Sequence, residues 1–199
     1  MKQKKKTILI FLGAAALALG SAPLRADDVT DSVDEAMKAY KDGDYATAAA
    51  SLDTAAQMIR QKRAESFAKF LPAAPSGWTA EDATTGAAGA AMFGGAVTAE
   101  RRYSKGEAEV TVKFLTDSPM MSAVMMMMNN PMLLSSSENG KMERIKGQKA
   151  LVKQDGDDGE ISIVVSGVML VSIEGNGVTA AEMKGFAEGI DYAKLAASL

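Results

Sequence analysis

The chain has 199 residues, 22 of them basic and 25 acidic, with no histidine and no cysteine. Without histidine there is no Ser-His-Asp or Cys-His catalytic arrangement and no His-based zinc or iron site, so catalysis would rest on carboxylates, lysine, tyrosine or serine. Without cysteine there are no disulfides and no lipoprotein-type lipid anchor, and a chain of this length buries a core without such staples.

The N-terminus carries Lys2, Lys4, Lys5 and Lys6, then an apolar run from Ile8 to about Leu19 that Gly20, Ser21 and Pro23 end. A membrane span needs roughly 20 apolar residues, so residues 1–26 read as a cleaved secretory signal with the cut after the small residue Ala26. Cleavage removes five basic and no acidic residues, leaving 17 against 25 and a net charge of about −8 over residues 27–199. That acidity argues against nucleic acid and against anionic lipid surfaces, both of which are bound through Lys and Arg. The expectation is an acidic protein of the bacterial periplasm, or a secreted one, with no stable membrane anchor after cleavage.

Residues 27–71 predict a helical hairpin. Ser32 and Glu35 have capping-box spacing, and Val33, Ala36, Met37 and Tyr40 recur at helical intervals. Asp42-Gly43-Asp44 stops the first helix. The second starts at Tyr45 with an apolar stripe of Ala48, Ala49, Leu52, Ala55, Ala56 and Ile59, and its far half, Arg60 to Lys69, reads as solvated. In order, Ala36, Tyr40, Gly43, Asp44, Tyr45, Ala48 and Ala55 follow the pattern A-x3-Y-x2-G-D-Y-x2-A-x6-A, which resembles one tetratricopeptide unit. Arrays of that family need three or more stacked units, so a single copy implies a packed hairpin or an oligomer contact rather than a peptide groove.

Pro72 and Pro75 open the second part, residues 72–199, in which Gly77-Trp78 begins the main domain. The Gly- and Ala-rich stretch from Thr84 to Ala96 lacks the spacing of a phosphate-binding loop and reads as a helix of small residues or a mobile loop, with a lid over a site as the alternative. Strands are predicted over Val97 to Tyr103 and Ala108 to Leu115, where Ala108, Val110, Val112 and Phe114 alternate with Glu109, Thr111 and Lys113. Further strands are expected over Lys141 to Ile145, Lys149 to Lys153, Glu160 to Ser166 and Val168 to Glu174, paired antiparallel because they are sequential. The acidic stretch Asp155 to Glu160 lacks the alternating ligand positions of a calcium loop and reads as a solvated hairpin turn, with weak divalent-ion binding as the alternative. Thr179 and Glu182 form a second capping box, opening a helix with Met183, Phe186 and Ala187, and a short turn from Asp191 to Leu195 closes the chain.

Between the strands lies a methionine-rich segment, Pro119 to Met128, followed by Asn129-Asn130-Pro131-Met132. Asp117 serves as N-cap and Asn129-Asn130-Pro131 as stop, leaving about three turns of helix apolar on every side. Such a helix is either core or a contact surface, because methionine offers soft, adaptable area. The partner-binding candidates are Met120, Met121, Met125, Met126, Met127 and Met128, facing an envelope protein or hydrophobic ligand. Thioethers also suit copper(I). Consecutive helical residues point about 100° apart, so a copper site would draw on Met121, Met125 and Met128, with Met132 approaching only if the chain turns at Pro131. The helix is expected to be sandwiched, or nearly so, between the sheet and the hairpin, with its less covered side toward a partner or the Gly/Ala segment.

Gly77-Trp78, Glu100 to Tyr103, Asp117 to Met120, Asn130 to Met132, Lys141 to Ala150 and Ile190 to Leu195 follow the order G-W, E-R-x-Y, D-S-P-M, N-P-M, K-x-E-R-I-x-G-Q-K-A and I-D-Y-x-K-L. That order resembles a group of exported bacterial proteins with no assigned activity. The order of strands and helices is also similar to PsbP-like domains, a likeness of topology that implies no function. The resulting expectation is an α+β fold, an antiparallel sheet of about five or six strands with helices on one face behind an N-terminal hairpin. Functionally, it is a non-enzymatic binding or assembly factor, with a copper(I) protein as the alternative and a carboxylate-based hydrolase as the third reading.

Overall fold

A computed structural model describes residues 26–87, 96–116, 119–130 and 140–199, with only the backbone at positions 26, 27, 119 and 120. The signal segment, Gly89, Gly94, Gly95, Asp117, Pro131 and Met132 lie outside the described residues.

Helix α1 (Ala26–Lys41) and helix α2 (Tyr45–Ala68) form the hairpin. Gly43 makes the reversal at φ +80°, where a Cβ is disfavoured, and Asp44 caps α2 by accepting from the Thr47 N–H at 3.1 Å and its hydroxyl at 2.6 Å. The first helix does not begin at Ser32. The Ser32 hydroxyl donates to the Asp28 carbonyl one turn back, at 3.0 Å, and Glu35 accepts from the Ser51 hydroxyl of α2 at 3.0 Å. A partner on the neighbouring helix has replaced the local cap. The far half of α2 also departs from expectation, because Ala64 and Phe67 on it are wholly buried. Arg63 lays its guanidinium over the Phe67 ring, 5.3 Å from the centroid.

The strands are β1 (Thr79–Ala80), β2 (Thr84–Ala87), β3 (Val97–Lys105), β4 (Ala108–Thr116), β5 (Gly140–Ile145), β6 (Gln148–Asp155), β7 (Asp158–Val165) and β8 (Met169–Asn176). They make one antiparallel sheet in the order β1-β3-β4-β8-β7-β6-β5, with β2 also on β3. The α+β class is as expected, and the count of eight exceeds five or six because β1 and β2 add to the outer edge of β3. Thr84 to Ala87, read from composition as helix or loop, is a strand because β3 offers it an open edge. Gln57 of α2 further ties it down through the Ala87 carbonyl, and Gln61 through the Thr85 hydroxyl at 3.0 Å.

Helix α3 (Pro119–Asn129) carries the methionines; helix α4 (Ala180–Glu188) and helix α5 (Tyr192–Ala197) close the chain. The Thr179/Glu182 capping box is present at the start of α4. Val97, Tyr103, Val112, Phe114, Ile161, Ile163, Val171 and Ile173 point from the sheet into a single core with Phe67, Met183, Phe186 and Leu195 from the helices. Phe186 is its hub, 4.8 Å from the Tyr103 ring and 5.1 Å edge-on from Trp78. Cross-strand neighbours Gly159 and Gly175 form a notch into which Met183 drops. A Cβ built on Gly159 would stand 2.2 Å from the Met183 methyl, and one on Gly175 would stand 2.3 Å from Val178 and 2.8 Å from the Met183 sulfur. These two glycines set how closely α4 approaches the sheet.

Alternation sends Glu100, Arg102, Glu109, Lys113, Lys153, Glu160 and Glu174 to the opposite face. Val164 is also on that face and shares a groove with α3, whose main neighbour is β7. The methionine helix is therefore not sandwiched between sheet and hairpin. Helix α2 occupies the core face, and α3 lies across the sheet from it. Among the described residues no helix is long and apolar enough to cross a membrane.

Candidate functional site

The arrangement of α3 follows from its composition. Its two polar side chains, Ser122 and Asn129, sit four residues before and three after Met126 on the side that stays in water, and one sheet face can cover only part of the circumference. Met126 is accordingly 65% exposed and Met125 36%, while Met121, Met127 and Met128 are half-buried. The contrast with Met169 and Met183, both 0% exposed in the core, is complete. Of the other candidates, Met120 has no described side chain and Met132 lies outside the described residues.

Met125 and Met128, adjacent on one helical side, line a groove of about 360 Å³ with Asn129 of α3, Val164 of β7 and the β5–β6 hairpin residues Arg144, Gly147, Gln148 and Lys149. Lys146 and Gly147 in that hairpin both have positive φ, the two-residue turn that matches strand twist. The groove is thus apolar on the α3 side and cationic on the hairpin side. It offers soft thioether and methyl surface beside charge, suited to an apolar chain that also carries an acceptor. Met121 is one turn earlier on the side of Met125 and Met128, so the structure keeps three of the four proposed thioether ligands on one stripe of the helix.

A second depression, of about 580 Å³, was not anticipated from the sequence. It lies on the polar sheet face between Glu109, Thr111, Lys153, Asp158, Glu160, Glu174 and Asn176. Glu160 and Glu174 are direct cross-strand neighbours, an arrangement that like charges disfavour. Each is held by a polar neighbour. The buried Ser162 hydroxyl donates to Glu160 at 2.7 Å, Ser172 donates to Glu174 at 3.4 Å, and Lys153 pairs with Glu160 at 3.5 Å. Lys113 and Glu100 continue the ladder at 3.1 Å, as do Arg102 and Glu109 at 2.9 Å. The signal was present in the sequence as the wet half of each alternating strand, but only the strand order puts these residues side by side. Among the described residues no group of three or more Asp and Glu side chains is arranged to hold a metal ion.

No protein-family model, no curated protein and no solved structure matches the chain.

Proposed function

We propose that this chain is a non-enzymatic binding or assembly factor of the bacterial periplasm, and that the methionine side of α3 is its contact surface. The observation that carries the reading is the exposure of Met126 and Met125 on a helix whose only polar side chains among the described residues are Ser122 and Asn129. Leaving such side chains in water costs the free energy that a partner recovers by covering them, and methionine adapts to surfaces of varied shape. Export rests on the N-terminal pattern of lysines, apolar run and Ala26, and the acidic balance beyond it suits a diffusing envelope protein.

The test is a photo-crosslinking residue placed at Met126 in living cells, with the exposed Val168 as control position. A discrete adduct in the envelope fraction at 126 alone, lost when Met125→Glu is added, is the expected result. Equal labelling at the two positions would overturn the contact surface. N-terminal sequencing of the envelope protein should begin at or near Asp27, and an intact Met1 end would overturn export.

A second reading is favoured by the shared groove of Met125 and Met128: a copper(I) site of Met121, Met125 and Met128. Replacing all three by leucine nearly conserves volume, at under about 1.5 kcal/mol each, and should abolish copper(I) binding under reducing conditions with the fold retained. Unchanged stoichiometry sinks it.

A further inference from the structure

The hairpin leaves five large apolar side chains in water. Met37 and Tyr40 on α1 and Tyr45, Leu52 and Ile59 on α2 are between 53% and 67% exposed. Their position has a cause in the sequence. The interface between α1 and α2 is filled by Ala36, Ala39, Ala48, Ser51 and Ala55, all buried, so the helices approach closely and the large residues are displaced to the flank. Tyr45, Leu52 and Ile59 recur every seven residues and therefore fall on one line along α2. Met37, Tyr40 and Leu52 frame a groove of about 210 Å³ floored by Ala36 and Ala48, and the Tyr40 ring leans on Tyr45 at 5.6 Å.

We propose that this strip is the contact between two copies of the chain, with α2 packed antiparallel against α2 about a two-fold axis passing beside Ala56. Charge selects a second copy over another partner. Asp53 and Arg60 lie on the same flank of the strip, seven residues apart and opposite in sign, and neither makes an ion pair among the described residues. A two-fold beside Ala56 keeps that flank on the same side and brings Asp53 of each copy level with Arg60 of the other. The same rotation sets Leu52 against Ile59, with Ala56 small at the crossing point. An isologous contact needs this self-complementarity, in which i meets j and j meets i.

Size agrees. With about 200 Å² for each large side chain when fully exposed, the five leave on the order of 600 Å² in water. That is the apolar centre of an interface of about 800 Å² per partner. Access agrees as well, because α1 rests on α2 and has no other extensive neighbour, leaving the hairpin free to enter a four-helix arrangement.

Sedimentation equilibrium of the purified protein decides the matter, with a dimer expected. Leu52→Lys with Ile59→Lys should give a monomer of unchanged helicity, since both side chains are already exposed. Asp53→Arg and Arg60→Asp should each weaken the dimer severalfold, and the two together should restore it. Ala56→Cys, in a chain that has no cysteine, should give a disulfide-linked dimer on mild oxidation. A monomer at about 100 μM, far above the Kd of a standard interface, would overturn the proposal. So would failure of the charge-swapped pair to recover, or a dimer that Met126→Glu on α3 dissociates.

Discussion

The same substitution made at two methionines separates core from contact surface. Burying a methionine side chain is worth about 1.5–3 kcal/mol. Met126 keeps 65% of its surface in water, so Met126→Glu forfeits roughly a third of that, about 0.5–1 kcal/mol. Glutamate and methionine have similar helix propensity and add nothing further. Met169, paired with Thr116 and Val165 at the start of β8, is 0% exposed. Met169→Glu loses the whole burial term and also strips the carboxylate of water with only the buried Thr116 hydroxyl beside it, for a total above about 4 kcal/mol. Against a total stability of about 5–15 kcal/mol, that is a quarter or more of the whole, enough to bring a domain at the low end close to unfolding. Urea denaturation followed by far-UV circular dichroism reads both variants against the parent. The expected result is a small shift in midpoint for Met126→Glu and a collapse for Met169→Glu. Comparable losses at the two positions would refute the reasoning, because α3 would then be core and would have no side free for a partner.

Gly175→Ala tests the notch under α4. Its Cβ would overlap Val178, which is β-branched and yields little, so we expect a loss of about 2 kcal/mol and a fall in Tm of about 4–8 °C for a domain of this size; an unchanged Tm would show that α4 sits farther from the sheet. Tyr103→Phe removes the hydroxyl that donates to the buried Pro72 carbonyl at 2.6 Å and leaves it only the longer bond from Arg101 at 3.5 Å, so the loss by chemical denaturation should be about 1 kcal/mol. Acid should destabilise the fold through three carboxylates held below the usual range. Glu182 is lowered by the Lys105 ammonium and then by the Thr179 backbone and hydroxyl, Asp44 by the Thr47 hydroxyl and N–H, and Asp191 by the Lys194 N–H and side chain. A carboxylate whose folded pKa is lowered contributes stability above its unfolded value, near 4, and loses it as pH falls through the folded value. Stability should therefore drop on acidification below about pH 5, and Glu182→Gln should flatten that slope; an identical slope would remove Glu182 from the account. At the alkaline end burial pushes Tyr103 up to about 12 and raises Tyr192 as well, so their contribution is intact below about pH 10 and disappears as pH rises through the folded values, an onset that absorbance of the phenolate would register.

The β-hairpins were legible to within a residue or two because their cause is local; Ser166 and Val168, expected in strands, belong to the turn between β7 and β8. Alternation along Ala108 to Leu115 marks which side chains are wet, and turns such as Lys146-Gly147 and Ser166-Gly167 carry the positive φ their strands require. The Thr179/Glu182 box and the Asp42-Gly43-Asp44 break were legible for the same reason, since each is closed by atoms within one turn of chain. Ser32 and Glu35 show the limit of such reasoning. Their spacing is that of a cap, yet Ser51 on the next helix holds Glu35, and only the packed hairpin supplies that competitor. Arg60 to Lys69 looks solvated in sequence because its charges outnumber its apolar residues. The core takes Ala64 and Phe67 from it, with Ala68 partly buried beside them.

For the candidate sites the division is sharper. The sequence by itself determined that Met121, Met125 and Met128 share one helical stripe and that no histidine or cysteine can join them. It could not determine how much of α3 is covered, because Ser122 and Asn129 mark one wet side without fixing how far the methionines around it are covered. That is decided by α2, which occupies the core face through Phe67 and leaves α3 the other face, where Val164 and the buried Leu151 and Leu170 stand among polar residues. Glu160 and Glu174 stand fourteen positions apart in the chain and meet only because β7 and β8 pair in one register. The exposed strip on the hairpin has the same origin: helical periodicity puts Leu52 and Ile59 on one line with Tyr45, while the close approach of two alanine-lined helices turns that line toward solvent.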